Sequence, residues 1–313
     1  MITKSRIFTG LIITSAVMLL VASVLINTKF FGSALVILIF FVVFLFAYIV
    51  FAWIEYPVCS LCGSSDRIII GSKDRLSMAR CKSCSLTYAY PRYALPRRWL
   101  LCQFWSYKDA FDPGRLELSH GHNNLVQNIR PKLEILKNCG YPGKGNLLLD
   151  IGCSTGAFMI EADIAGFKCE GIEPGFFSSK YGKNIHKLNI HNANVESYMP
   201  NRQFDVITCL HVLEHVTHTI NFMTALRYFL KDEGLLLIAT PNVGCKYARE
   251  MGMDWEAVGP ADHVCLFDST TITELLNNTG FKIQKFFESG TKLDELVAVC
   301  EVKICRDNNN TGG

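Results

Sequence analysis

The stretch Leu147-Leu-Leu-Asp-Ile-Gly-Cys-Ser-Thr-Gly156, followed by Gly171-Ile-Glu-Pro174, constrains this chain more than any other. An apolar run ends in an acid, two glycines bracket a tight turn, and a second apolar segment ends in Glu173. This is how an α/β protein holds a ligand at the carboxyl ends of adjacent parallel strands. Gly152 and Gly156 let the backbone approach where a Cβ would collide. A dinucleotide turn reads G-x-G-x-x-G and seats a pyrophosphate on a helix N-terminus. Here the turn reads D-x-G-x-x-x-G with Asp150 in front of it. An acid there suits an adenosyl ligand with a cationic amino-acid end, and Glu173 stands where a carboxylate accepts both ribose hydroxyl protons.

Half of the 313 residues are apolar, and the excess sits in the first 54. Residues 7–28 and 30–54 carry no charge, and each is long enough to cross a hydrocarbon core of about 30 Å. A signal peptide would have a shorter apolar run and no second span directly after it. Residues 1–55 are therefore expected to form a retained transmembrane hairpin. Lys4 and Arg6 precede the first span and only Lys29 lies in the hairpin loop, which places the N-terminus in the cytoplasm. Two spans return the chain to that side, with Trp53 and Tyr56 at the exit interface. The thirteen cysteines are then expected to stay reduced. A net charge of +3 is too weak to argue for nucleic acid.

Residues 56–95 carry two C-x-x-C pairs, Cys59/Cys62 and Cys81/Cys84, 18 residues apart. Four thiolates on two knuckles match a structural zinc site with no coordination place left for water. Residues 67–71 and 86–90 read as the short strands of a zinc ribbon. Residues 96–305 form the larger domain, and the polar end, 306–313, reads as a frayed, disordered tail. From Leu147 onward, apolar runs alternate with amphipathic segments. Residues 147–151, 167–172, 204–210 and 235–240 read as buried parallel strands with helices between them. Residues 282–288 and 296–302 are joined by a short turn, which favours an antiparallel pair. The expected fold is α/β, a doubly wound Rossmann-like sheet with a reversed last strand, preceded by the ribbon and two transmembrane helices.

Taken in order, LLLDIGCSTGAF, GIEP, NANVES, FDVITCLHVLEHV, LLLIATPN and DHVCLF before NNTGF resemble the class I S-adenosylmethionine-dependent methyltransferases. Within that class the chain is similar to the branch of the ubiquinone-biosynthesis O-methyltransferases and of bacterial enzymes with an N-terminal zinc ribbon. The resemblance covers roughly residues 56–303. It implies that Asp150 and the Gly152, Cys153, Gly156 turn hold the methionine moiety of S-adenosyl-L-methionine and that Glu173 binds the ribose. It implies further that Asn194 accepts from the adenine amino group, that Val195 N–H addresses the ring edge, and that Cys209, Leu210 and His211 line the methyl-donor channel.

His211-Val-Leu-Glu214-His215 leaves three readings open. Glu214 and His215 can brace a strand–helix turn. His211 or His215 can take a proton from an acceptor hydroxyl, since imidazole titrates near neutrality. A second divalent metal can sit on His211, Glu214 and His215, read as one face of a helical turn, with His263 from the Asp262-His263 loop. A histidine where related metal-binding enzymes have a carboxylate shifts any preference from Mg²⁺ toward softer ions. An inverted zinc-protease reading of H-x-x-E-H fails because the motif directly follows a buried strand. Phe176, Phe177, Tyr181 and Trp255 read as packing or lid residues.

The reaction expected is methyl transfer, most often to oxygen, at the cytoplasmic membrane face. The hairpin points to a small-molecule or lipid-linked acceptor and to a two-pass protein of a bacterial inner membrane, with no nucleic-acid partner. The rivals are a membrane adaptor with a relic fold and a nucleic-acid methyltransferase that uses the ribbon as a grip. The weak charge and the membrane spans disfavour the latter.

Overall fold

The computed structural model describes residues 54–111, 122–289 and 294–303, with positions 38, 39, 41, 42, 44 and 45. The chain divides into two units, Met1–Ile54 and Glu55–Gly313. The expected hairpin lies almost wholly outside the described residues, as does the 306–313 tail. Among the described residues no helix is long and apolar enough to cross a membrane.

The cysteine-rich segment folds around three strands, β1 (Arg67–Lys73), β2 (Leu76–Cys81) and β3 (Thr87–Ala89). The sequence predicts two of them. The third arises because Asp74 and Arg75 both take positive φ, 53° and 68°, and turn the chain back within two residues. The segment is not a separate body. β9 (Cys265–Leu266), from the far end of the chain, pairs antiparallel with β3, giving the order β9-β3-β2-β1. Cys59, Leu61, Met78 and Tyr88 share one buried core with Trp255, Val264 and Phe267.

The principal sheet holds β4 (Leu147–Ile151), β5 (Lys168–Ile172), β6 (Ile190–His191), β7 (Phe204–Leu210), β8 (Leu230–Pro241), β10 (Phe281–Ser289) and β11 (Glu295–Val302) in the order β10-β11-β8-β7-β4-β5-β6. All run parallel except β11, which pairs antiparallel with both β8 and β10. Apolar side chains line both sheet faces, as a sheet covered on both sides requires. One face packs against α2 (His122–Asn138) and α3 (Ala157–Ile164) through Ile129, Leu136, Phe158 and Ala162. The other packs against α5 (Thr219–Phe229) and α7 (Ser269–Asn278) through Phe222, Leu226, Ile272 and Leu275. At the carboxyl ends of β4 and β5, α1 (Leu95–Phe111) lies along α4 (Phe176–Asn184). A sixth helix, α6 (Lys246–Met251), follows β8. The α/β sheet with its reversed last strand is the one the sequence predicts.

Candidate functional site

Parallel pairing sets the first half of the site. Asp150 sits opposite Gly171 on one side and Thr208 on the other. It is buried, and Thr208 Oγ1 donates to its Oδ1 at 2.7 Å. Glu173 follows β5 and is likewise buried, with Ser154 N–H donating to Oε2 at 3.0 Å and Gly175 N–H to Oε1 at 2.6 Å. Burial raises both carboxyls to about 7, against the pull of these donors. Two buried acids side by side favour a cationic guest.

Two glycines shape the turn between them. Gly152 has φ 68° and Gly156 φ 93°. A Cβ at Gly152 would run into Val212, and one at Gly156 into Leu188. Gly152 N–H and Cys153 N–H both donate to Ile172 O, at 2.8 and 3.2 Å, and tie the turn to the neighbouring strand. Cys153 is buried.

Helix α1 closes over the turn with its polar residues inward. Ser154 Oγ donates to Asp109 Oδ2 at 3.3 Å, Phe176 N–H donates to Gln103 Oε1 at 2.9 Å, and Ser178 N–H donates to Ser106 Oγ at 2.8 Å. Beside Glu173 a cavity opens between Trp99, Gln103, Pro174, Phe177 and Asn192. Asn192 Nδ2 donates to the Glu173 carbonyl at 2.9 Å. Asn194 is exposed, and its carbonyl starts the 3-10 turn at Val195–Ser197, with Val195 buried beneath. The structure therefore brings Asn192, which sequence reasoning passed over, to the cavity wall. Cys209 corrects an expectation. It lies in the middle of the core with no exposed surface, so its thiol does not line the donor channel. Leu210 is half-buried and packs on the opposite sheet face.

The second half of the site starts where β7 ends. His211 takes φ 55° and donates its N–H to Ala239 O at 2.8 Å, so the chain leaves the sheet abruptly before the short turn Leu213–His215. This corrects the expectation that residues 211, 214 and 215 share a helical face. The His211 ring faces two carboxylates. Its Nε2 lies 2.7 Å from Glu295 Oε1 and its Nδ1 3.5 Å from Glu214 Oε1. Burial alone would lower its pKa, but the two carboxylates outweigh it and raise it to about 10. Both ring nitrogens of His211 thus face carboxylates, which favours its charged form. Glu295 is fixed in turn by Lys132 Nζ at 2.9 Å and by Ser289 Oγ. Glu214 is buried, and Thr240 Oγ1 donates to its Oε2 at 3.0 Å. Burial opposes its ionisation, yet the surrounding histidines hold it at about 2.

Glu214, His215 and His263 each offer a ligand atom, all within 4.8 Å of one another. His215 Nδ1 meets Asp262 Oδ1 at 3.0 Å, and His263 Nδ1 donates to Ala257 O at 2.7 Å. Each ring therefore spends Nδ1 on an outer partner, which orients Nε2 in the way metal-binding histidines are oriented. The rings meet edge to face, with centroids 4.8 Å apart. His211 lies outside this group.

In the ribbon, Cys59, Cys62, Cys81 and Cys84 also come within 4.8 Å of one another. Cys59 Sγ is 3.4 Å from Cys84 Sγ, and Cys62 Sγ is 3.5 Å from Cys81 Sγ. The donor set and its compactness fit a tetrahedral Zn²⁺. No sequence signal marks Thr208, Glu295, Lys132 or Thr240. Each lies in an apolar run, at a strand start or within a helix, where its spacing matches no motif.

A seven-stranded sheet in this order, with one reversed strand and an acid at the end of each of its first two strands, defines the class I S-adenosylmethionine-dependent methyltransferase fold. The chain belongs to the family described as a methyltransferase domain, whose pattern matches residues 123–285. It is 27% identical over 149 residues to a ubiquinone biosynthesis O-methyltransferase of Rickettsia bellii (strain OSU 85-389), covering 44% of this chain and 62% of that protein. It is 29% identical over 128 residues to the protein of that description from Actinobacillus pleuropneumoniae serotype 5b (strain L20), covering 34% of this chain and 55% of that one. The chain thus spans less than two thirds of the length of these relatives. Among solved structures it is similar to magnesium protoporphyrin IX methyltransferase from Synechocystis PCC 6803 with bound S-adenosylhomocysteine. The TM-score is 0.51 at 15% identity, over 66% of this chain and 100% of that one. A Burkholderia thailandensis 1,6-didemethyltoxoflavin-N1-methyltransferase gives a TM-score of 0.52 at 13% identity, over 77% of this chain and 100% of that one.

Proposed function

We propose that this chain transfers the methyl group of S-adenosylmethionine to a hydroxyl of a membrane-associated acceptor. The observation that carries the donor half is the pair of buried carboxyls, Asp150 and Glu173, flanking a turn in which glycine is required on steric grounds. Asp150 holds the ammonium end, Glu173 takes the ribose hydroxyls, and the wall by Asn192 receives the base. The sulfonium is already an activated donor, so the protein must align the acceptor with the methyl–sulfur bond and exclude water. Helix α1 supplies the cover.

On the acceptor side, Glu214, His215 and His263 surround the position an acceptor hydroxyl would take. His263 Nε2 is free of the carbonyl contact made by Nδ1 and is placed to accept the hydroxyl proton. Two imidazoles and one carboxylate also fit a divalent ion, and such an ion, when bound, lowers the pKa of a coordinated hydroxyl. The imidazolium of His211 keeps Glu214 ionised and its carboxylate fixed. The four ribbon cysteines hold structural zinc. An N-terminal membrane hairpin, read from the uncharged runs 7–28 and 30–54, keeps this site at the cytoplasmic membrane face and favours a lipid-linked acceptor.

Isothermal titration tests the donor half. The intact protein binds S-adenosylmethionine in the micromolar range, and Asp150→Ala or Glu173→Ala weakens binding by roughly 2–3 kcal/mol, the cost of losing a charge-assisted hydrogen bond. Absence of binding by the intact protein refutes the reading.

A further inference from the structure

Helix α1 wears its amphipathicity inside out. Its inward face is small and polar: Ser106 and Ala110 are buried, and Gln103 and Asp109 hydrogen-bond to the fold. Its outward face is aromatic. Phe104 is 50% exposed, Tyr107 50% and Phe111 63%, and Phe176 at the start of α4 is 49% exposed. Tyr107, Phe111, Phe176 and Phe177 form one cluster of rings. Tyr107 meets Phe111 and Phe177 with centroids 5.0 and 5.3 Å apart, and Phe176 meets Phe177 at 5.4 Å. Cations are set among them, with Lys108 Nζ 5.5 Å from the Phe104 ring and Lys180 Nζ 5.5 Å from the Phe176 ring. Asp109, the one acid of α1, accepts from Ser154, and α4 has none.

We propose that this α1–α4 face lies on the surface of a bilayer containing anionic lipid. A contiguous aromatic surface of this kind marks an interaction site. The interleaved lysines decide which one. Protein interfaces exclude lysine from their apolar cores, whereas an interfacial membrane helix combines Trp and Phe with Lys and Arg that reach the headgroups. The inference rests on the membrane reading above and adds to it the face that meets the lipid. The donor site then opens close to the bilayer plane, because the inner side of α1 closes that site.

The test uses the full chain reconstituted in phosphatidylcholine–phosphatidylglycerol vesicles whose acyl chains are brominated close to the headgroups. A Phe111→Trp variant places an added indole within the ring cluster, and the emission difference between it and the native chain belongs to that position. That difference emission should fall at least about twofold in brominated relative to unbrominated lipid, as for rings seated at the interface. Lys108→Glu/Lys180→Glu should restore part of it. Equal difference emission in both lipids overturns the proposal. If the chain then still floats with vesicles in high salt, the hairpin anchor stands without the face; if it does not float, both fall. Unquenched emission together with a stable dimer assigns the face to a second copy of the chain.

Discussion

Asp150 and Glu173 store unfavourable energy until a cation arrives. Unfolded carboxyls titrate near 4, and these two are raised to about 7. A carboxyl with a raised pKa binds more protons folded than unfolded. Its contribution to stability is therefore fully present below about pH 4 and lost as pH rises through 7. A cationic donor reverses the cost by favouring the ionised acids, and binding releases protons. Affinity for S-adenosylmethionine should rise roughly tenfold from pH 5.5 to 7.5, with a binding enthalpy that varies with the buffer's ionisation heat, and Asp150→Asn should flatten both trends. The acids were legible in the sequence because the turn chemistry around them is rigid. Glu295 was not, because a carboxylate at a strand start has no periodicity. Its meaning comes from Lys132 and His211, 163 and 84 residues away in the chain.

At the scale of elements, the cysteine-rich sheet is tied to the Glu214 turn. Strand β9 completes that sheet, Ala89 N–H donates to Val264 O at 2.9 Å, and Val264 N–H donates to Glu214 O at 2.8 Å. Val264 thus ties the ribbon to the Glu214 turn, and the residue before it is His263. Zinc removal by a strong chelator should abolish methyl transfer while leaving S-adenosylmethionine affinity within about threefold, since the donor turn hangs on β4 and β5; calorimetry and turnover on one sample separate the two. The cysteine spacing announced the cluster of four thiols. A two-residue strand such as β9 is too short to carry a pattern, so its partnership emerges only in three dimensions. The main strands were readable because burial on both faces makes each a continuous apolar run.

For the whole molecule, the proposed membrane location can be tested apart from donor binding. If the acceptor is held in lipid, confinement raises its effective concentration at the site. A chain starting at Glu55 should keep its affinity for S-adenosylmethionine yet methylate membrane extracts at least about tenfold more slowly than the full chain, as loss of confinement predicts. Equal rates would detach acceptor choice from the membrane. The ribbon's sheet carries a different consequence. Cys62 is exposed, while its three partner sulfurs are more enclosed. If the four thiolates hold zinc, an oxidant meets Cys62 first, and its damage begins beside the sheet that joins the Glu214 turn and not at Asp150 or Glu173.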